Sequence, residues 1–236
     1  YSVIDYTNAI LGGEYEQKGT ELNAACFGVP QERKRYITMG IRTDILGHSE
    51  FIAMKNPDNF ENVTVKDAIF DIAQFPASTD NEHKPIRYYG EPSSISDYAK
   101  MMRGNRRKLY NHVTTASTPE AIERFIAIPE GKNFHVLNKE MKSSYSKPER
   151  TQNTIYLRLD RKKPAGTVVN VRKSMWIHPE LHRAITVREA ARLQSFPDSF
   201  IFYGPKDSQY QQVGNAVPPK LAKHIAKHLL KYLNNM

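Results

Sequence analysis

Cysteine is almost missing from this chain: Cys26 is the single one in 236 residues. An internal disulfide and any multi-cysteine zinc site are thereby excluded, in keeping with a reducing compartment. No apolar run approaches the length needed to cross a bilayer, and the opening "YSVIDYTNAILGGEYEQKG" lacks the basic, apolar and small-residue succession of a secretory signal. These absences predict a soluble, intracellular, cytoplasmic protein. Internal repeats and the glycine arrangement of a dinucleotide-binding loop are also missing. Acids are scarce relative to bases, 25 against 34, and the net charge of +9 has the sign expected of a protein that neutralises phosphates. The first residue is Tyr1 and not Met, which leads to the expectation of a processed or excised piece.

What is present falls into three stretches. The length suits one large or two small domains with a real core. Residues 1–42 are moderately apolar and end in "GVPQERKRYITMGIR", where Tyr36 to Ile41 give strand formers after a proline. Residues 43–185 turn polar and basic, an irregular α+β module. It predicts helices in "TVKDAIFDIAQ" and "SDYAKMMRG" and strands in "NTIYLRLD" and "GTVVNVR". Residues 186–236 open with Thr186 and Glu189 at capping-box spacing in "TVREAARLQSFP", and a loop then leads to a final helix beginning at Pro219. On that helix Leu221, Ile225, Leu229 and Leu233 form one stripe, with lysines off it, so it must dock on something.

Several constellations admit both a chemical and a plain reading. In an extended "PQERKR", Gln31, Arg33 and Arg35 project three hydrogen-bonding heads from one face, suited to a phosphate or a base carbonyl, or else form a solvated basic edge. Arg188 and Arg192, four apart, predict a cationic helix face opposite the packed Val187, Ala190 and Leu193; the plain reading pairs them with Glu189 or nearby acids. The Gly-Asn turn in "VGNAVPP" directs backbone N–H groups and the Asn215 amide toward whatever lies beside the helix mouth. His224 and His228 have metal-ligand spacing, but lysines surround them and no third ligand is near, so they read as surface residues and no metal is expected.

Taken in series, "FGVPQERKRYITMG", a long polar insert, "ITVREAARLQSFPDSF" and "QQVGNAVPP" resemble the C-terminal half of the DNA cytosine-5 methyltransferases. The resemblance implies a mixed α/β fold: the C-terminal part of a Rossmann-like methyltransferase domain, interrupted at 43–185 by a target-recognition domain. It implies base flipping in duplex DNA, with S-adenosyl-L-methionine as methyl donor, in a restriction-modification setting in a bacterial cytoplasm. Arg35 would reach the flipped cytosine at O2, with Gln31 and Arg33 bracing the site. Asn215 would touch the cofactor, with Gly214, Ala216 and Val217 shaping its pocket. Thr167 in "GTVVN" would help hold the DNA backbone. In the recognition region Arg103, Arg106, Arg107, Arg150, Gln152 and Asn153 are candidate readers of the major groove.

The family's reactive centre is not in this text. Its nucleophilic cysteine sits in a Pro-Cys dipeptide, whereas Cys26 lies between Ala25 and Phe27 and reads as a small buried hydrophobe. Glu61-Asn62-Val63 repeats the letters of the family's catalytic Glu-Asn-Val, but it follows the arginine strand where the family's motif precedes it, and it reads as coincidence. The family's Phe-x-Gly-x-Gly cofactor loop is absent. The expectation is a chain inactive by itself, whose partner is a missing N-terminal catalytic portion or a complementary subunit. The alternative is a non-catalytic DNA-binding or regulatory module derived from such an enzyme. A metal-dependent nuclease fails on motif order, since Pro197-Asp198 follows the available "EGK" and "EMK" triplets.

Overall fold

Strands β1 (Tyr15–Asn23) and β2 (Lys34–Arg42) pair antiparallel from Tyr15 opposite Arg42 to Asn23 opposite Lys34. In the computed structural model, which describes residues 3–47, 49–80, 85–87 and 95–233, this ribbon follows helix α1 (Val3–Leu11). Tyr1 lies outside the described residues. The ribbon's connection is held at its base by Asn23, whose Oδ1 accepts from the backbone of Ala25 and of Arg33. A 3-10 turn over Ala24–Phe27 ends at Gly28, where φ of +71° favours glycine. One face of the ribbon, with Leu22, Met39 and Ile41, joins Phe27, Val29, Leu46, Phe51 and Met54 in a core.

Helix α9 (Pro219–Leu233) closes that core. Leu221 is buried there, and Ile225, Leu229 and Tyr232 pack beside it. Full burial of one leucine stabilises by about 2 kcal/mol. Leu233, expected in the stripe, is 39% exposed, because the helix outruns the surface it covers. The intervening α2 (Thr43–Leu46) packs between β2 and α9, so the shift in composition after Arg42 does not coincide with a break in packing.

The largest core brings together α3 (Val65–Ile69), α4 (Asp97–Arg103), α7 (Val187–Leu193) and α8 (Lys206–Asn215), around the buried Trp176. Residues on both sides of Ile185 share it. The expected helices of "TVKDAIFDIAQ" and "SDYAKMMRG" are present as α3 and α4, with Thr64 and Ser96 as N-caps. A short pair, β3 (Ile86–Arg87) with β4 (Lys108–Leu109), lies beside α4 in sequence. A third cluster gathers α5 (Pro119–Ala127) with Phe134, Leu137, Tyr156 and Ile177. Arg158 threads into its margin and donates to the carbonyls of Phe125 and Ile128 at the C-terminal end of α5.

Three expectations need correction. "NTIYLRLD" and "GTVVNVR" are not strands: Arg158 and Ile177 form one isolated bridge, and the second stretch runs into α6 (Val171–Ser174). Val168 and Val171 are buried in the large core without strand pairing, while Val169 between them is exposed. The loop expected after Pro197 holds α8, whose weak apolar periodicity concealed it. Gly214 and Asn215 are therefore the end of a helix and not a turn; an extended Ala216 leads through Val217 and Pro218 into α9.

Candidate functional site

Four separated segments meet at the C-terminal end of α8. The stretch from Pro30 runs alongside Ala165, with Glu32 N donating to Ala165 O (2.8 Å) and Ala165 N to Pro30 O (2.9 Å). This brings "PQERKR" against "GTVVN". The buried carboxamide of Gln31 accepts from Val168 N (2.8 Å) and donates to Leu193 O (3.2 Å) and Gln194 Oε1 (2.9 Å). Gln194, also buried, donates onward to Val213 O (2.8 Å) and Ala216 O (3.5 Å). Arg33 donates to Val168 O (2.8 Å) and Gly214 O (3.3 Å). Its guanidinium pKa is lowered by burial and by the neighbouring charge of Arg35.

The last carbonyls of a helix have no partner within it and need outside donors. Here Gln194 and Arg33 provide them, and they grip the carbonyls on both sides of Asn215. Gly214 permits this approach, because a Cβ there would lie 2.6 Å from the Val169 carbonyl carbon. Asn170 adds a further tie, donating to Gln211 Oε1 (3.0 Å) on α8.

The residues expected to touch ligands are at the surface of this junction. Arg35 is exposed two residues beyond Arg33, with a donor on Lys34 O (2.7 Å). Asn215 is exposed and accepts from Gln211 Nε2 (2.7 Å). Val217 is exposed, and Ala216 packs against the large core. Arg33 thus ties the strand carrying Arg35 to the helix end carrying Asn215. Of the three heads expected in a row, Gln31 and Arg33 point inward and only Arg35 is free toward solvent.

The candidate DNA readers divide. Arg106, Arg107, Arg150, Gln152 and Asn153 are exposed. Thr167 is partly exposed and its hydroxyl donates to Glu32 O (3.0 Å). Arg103 does not belong with them: it is buried and donates to Asp71 Oδ2 at 2.8 Å, fastening α4 to the end of α3. The cationic face expected on α7 is likewise absent. Arg188 and Arg192 are fully buried. Arg188 donates to the carbonyls of Tyr110, Pro197 and Phe200 and to Asn111 Oδ1, and Arg192 to both oxygens of Asp198, to Asp71 and to Ala68 O. Some of these partners, Asp198, Pro197 and Phe200, follow α7 closely in sequence, and others, Ala68, Asp71, Tyr110 and Asn111, are distant; helical spacing reveals neither set.

The remaining candidates have ordinary places. Cys26 is half-buried against the ribbon core, and burial pushes its thiol pKa up, away from the reactive thiolate. Glu61 and Asn62 are exposed in coil ahead of Thr64. His224 lies beside the Phe27 ring, and His228 bonds to Ile52 O (2.9 Å), so both help seat α9. Among the described residues no group of three metal-ligating side chains occurs, and no helix is long and apolar enough to cross a membrane. A cavity of about 330 Å³ lies between α5, Tyr156 and Tyr210, but its two arginines are already engaged, Arg124 on Met141 O and Ser144 Oγ, Arg172 on Asp207.

Gln194 was the residue that sequence reasoning passed over. Its signal was a carboxamide closing a capped, otherwise packed helix, immediately before "SFP".

The mixed α/β fold is similar to a crystal structure described as a DNA modification methyltransferase encoded within a prophage of E. coli. The TM-score is 0.76 at 22% identity, over 98% of this chain and 64% of that one. The chain belongs to the C-5 cytosine-specific DNA methylase family, whose profile matches residues 7–231. It is similar to the type II methyltransferase M.DdeI of Desulfomicrobium norvegicum, 30% identical over 258 residues covering 98% of this chain and 59% of that protein. It is also similar to the type II methyltransferase M1.HphI of Haemophilus parahaemolyticus, 33% identical over 221 residues covering 94% of this chain and 50% of that protein. The chain spans between half and three fifths of the length of these relatives.

Proposed function

We propose that this chain is the C-terminal, target-recognition part of a DNA (cytosine-5-)-methyltransferase, which moves a methyl group from S-adenosyl-L-methionine to C5 of a cytosine in a specific duplex site. The observation that carries the reading is the junction at the end of α8, where Arg33 and Gln194 hold the peptide groups around Asn215 against the segment leading to Arg35.

In this reading Arg35 donates hydrogen bonds to the O2 carbonyl of a flipped cytosine, and a guanidinium suits that task because its donors are planar and permanently charged. Gln31 and Arg33 hold the strand that carries it. Asn215, Gly214, Ala216 and Val217 form one wall of the cofactor site, and its exposed carboxamide beside an exposed apolar side chain fits a ligand with polar and apolar parts. The cofactor supplies an electrophilic methyl group when bound. The nucleophilic cysteine, the catalytic glutamate and the remaining cofactor wall come from a Pro-Cys-bearing N-terminal portion or a complementary subunit, and the chain alone transfers nothing.

Residues 43–185 serve as the target-recognition region between two catalytic-domain segments, 1–42 and 186–236, of a Rossmann-like frame. DNA is met by Arg106, Arg107, Arg150, Gln152 and Asn153, with Thr167 on the phosphate side if its hydroxyl exchanges the Glu32 carbonyl for a phosphate oxygen. Arg103 is withdrawn from the reading set, since Asp71 already uses its charge. The setting is a cytoplasmic restriction-modification system.

The test is reconstitution. The 236-residue chain, mixed with a polypeptide carrying the Pro-Cys and Glu-Asn-Val motifs, is expected to transfer labelled methyl groups to duplex DNA, while each piece alone does not. A mixture of folded, associated pieces that binds DNA without transferring methyl groups would favour the non-catalytic binding module.

A further inference from the structure

The junction contains more bonding than placing Asn215 alone requires. Gln31 and Gln194 meet carboxamide to carboxamide, and each is otherwise saturated by main-chain groups of other segments. Gln31 spends both donors on Leu193 O and Gln194 Oε1 and accepts from Val168 N. Gln194 spends its amino group on Val213 O and Ala216 O. Both side chains are fully buried, so neither can exchange a lost partner for water. A shift of the α8 end away from the Pro30–Arg35 segment would break several of these bonds at once, and bond networks of this kind respond as a unit.

We propose that Gln194 is a positioning residue that couples the two ligand-facing sides of the junction: when duplex DNA engages Arg35, the cofactor-facing end of α8 is held in its binding arrangement, and the reverse. The inference rests on the proposed function, in which Arg35 faces the base and Asn215 the cofactor. Gln194 touches neither ligand. It acts through Val213 O and Ala216 O on one side and through Gln31 on the other. Linkage requires the effect to be reciprocal: DNA must tighten cofactor binding by the same factor by which cofactor tightens DNA binding.

The experiment uses the complete enzyme containing this chain. Cofactor affinity is measured by calorimetry with and without a duplex carrying the target site, alongside kcat and KM for each substrate. Wild-type enzyme is expected to bind S-adenosyl-L-methionine about 10-fold more tightly with DNA present, within the usual range of such coupling. Gln194→Met, which keeps the volume and removes both donors, is expected to bring that ratio close to one and to raise KM for cofactor more than it lowers kcat. Gln194→Glu keeps the acceptor toward Gln31 but loses the donors toward α8, and is expected to do the same. A merely structural role would lower thermal stability and active fraction while leaving the ratio unchanged, and that result in either variant overturns the inference. If both variants fail to fold, amide exchange in wild-type enzyme decides: DNA alone is expected to slow exchange at Asn215, Ala216 and Val217, and unchanged exchange there refutes the coupling. Wild-type enzyme that transfers methyl groups but shows no DNA effect on cofactor affinity also refutes it. Wild-type enzyme that transfers none removes the proposed function itself, a separate failure.

Discussion

Helices α7 and α9 carry similar patterns of apolar residues with cations between them, yet they end in opposite environments. All seven residues of α7 are buried, Arg188 and Arg192 included, whereas along the fifteen residues of α9 only Leu221 is buried. The difference lies in what the cations meet. Around α7, Asp71, Asp198 and a set of loop carbonyls receive the guanidiniums. Off the α9 stripe, Lys223 and Lys227 are exposed. Helical spacing reports which residues share a face, but an arginine is placed inside or outside by acceptors that come from elsewhere in the chain.

The largest effect is expected where that environment is broken. Arg192→Met leaves Asp198 and Asp71 without their shared guanidinium in a buried setting, and should cost about 3–5 kcal/mol in denaturant unfolding. Lys227→Ala on α9 serves as the paired control and should change stability by less than about 0.5 kcal/mol. A small loss in Arg192→Met would mean that Arg103, on Asp71, and Arg188, 3.8 Å from Asp198, compensate those carboxylates without it.

Acid should separate the two helices next. His178, buried and packed on the Phe70 ring, has its pKa lowered from 6.5 to about 4, chiefly by desolvation. On α7, Glu189 is held well below its usual 4.5 because the Arg183 charge and hydrogen bonds outweigh its burial. Both groups titrate lower in the folded chain than in the unfolded one. The stability from His178 is therefore complete above about pH 6.5 and is lost as pH falls toward 4; that from Glu189 is complete above about 4.5 and is lost below it. The His178 part amounts to about 3 kcal/mol. His178→Gln should flatten the upper limb of a stability-versus-pH curve and leave the lower limb in place, while an unaltered upper limb would assign it to another group. His224 on α9 also has a lowered pKa, from partial burial and neighbouring lysines, but its exposure leaves it little weight.

The sequence made some of this architecture legible and concealed the rest for identifiable reasons. Strong local signals survived: the Thr186–Glu189 capping box, β2 after Pro30, and the start of α9 at Pro219. β1 was not anticipated, since "YEQKGTELN" has few strand formers and gains its stability from pairing with β2. α8 was missed because eight of its ten residues are polar or glycine and its packing depends on Tyr210 and Val213. At the candidate site, Gln31, Arg33, Arg35, Gly214 and Asn215 were legible through the resemblance. The bonds of Gln194 were not, because they depend on the Gln31 side chain and on the carbonyls of Val213 and Ala216, which the fold brings to one carboxamide from distant segments.

The most direct measurement of the central claim is the methyl-transfer rate of Arg35→Ala in the assembled enzyme. Arg35 is exposed with a single described bond, to Lys34 O, so its removal should leave folding intact. If this side chain holds the cytosine beside the Asn215 end of α8, transfer should fall by about 10²-fold or more with thermal stability unchanged. Transfer at the wild-type rate would contradict the convergence of strand and helix end on one reactive centre.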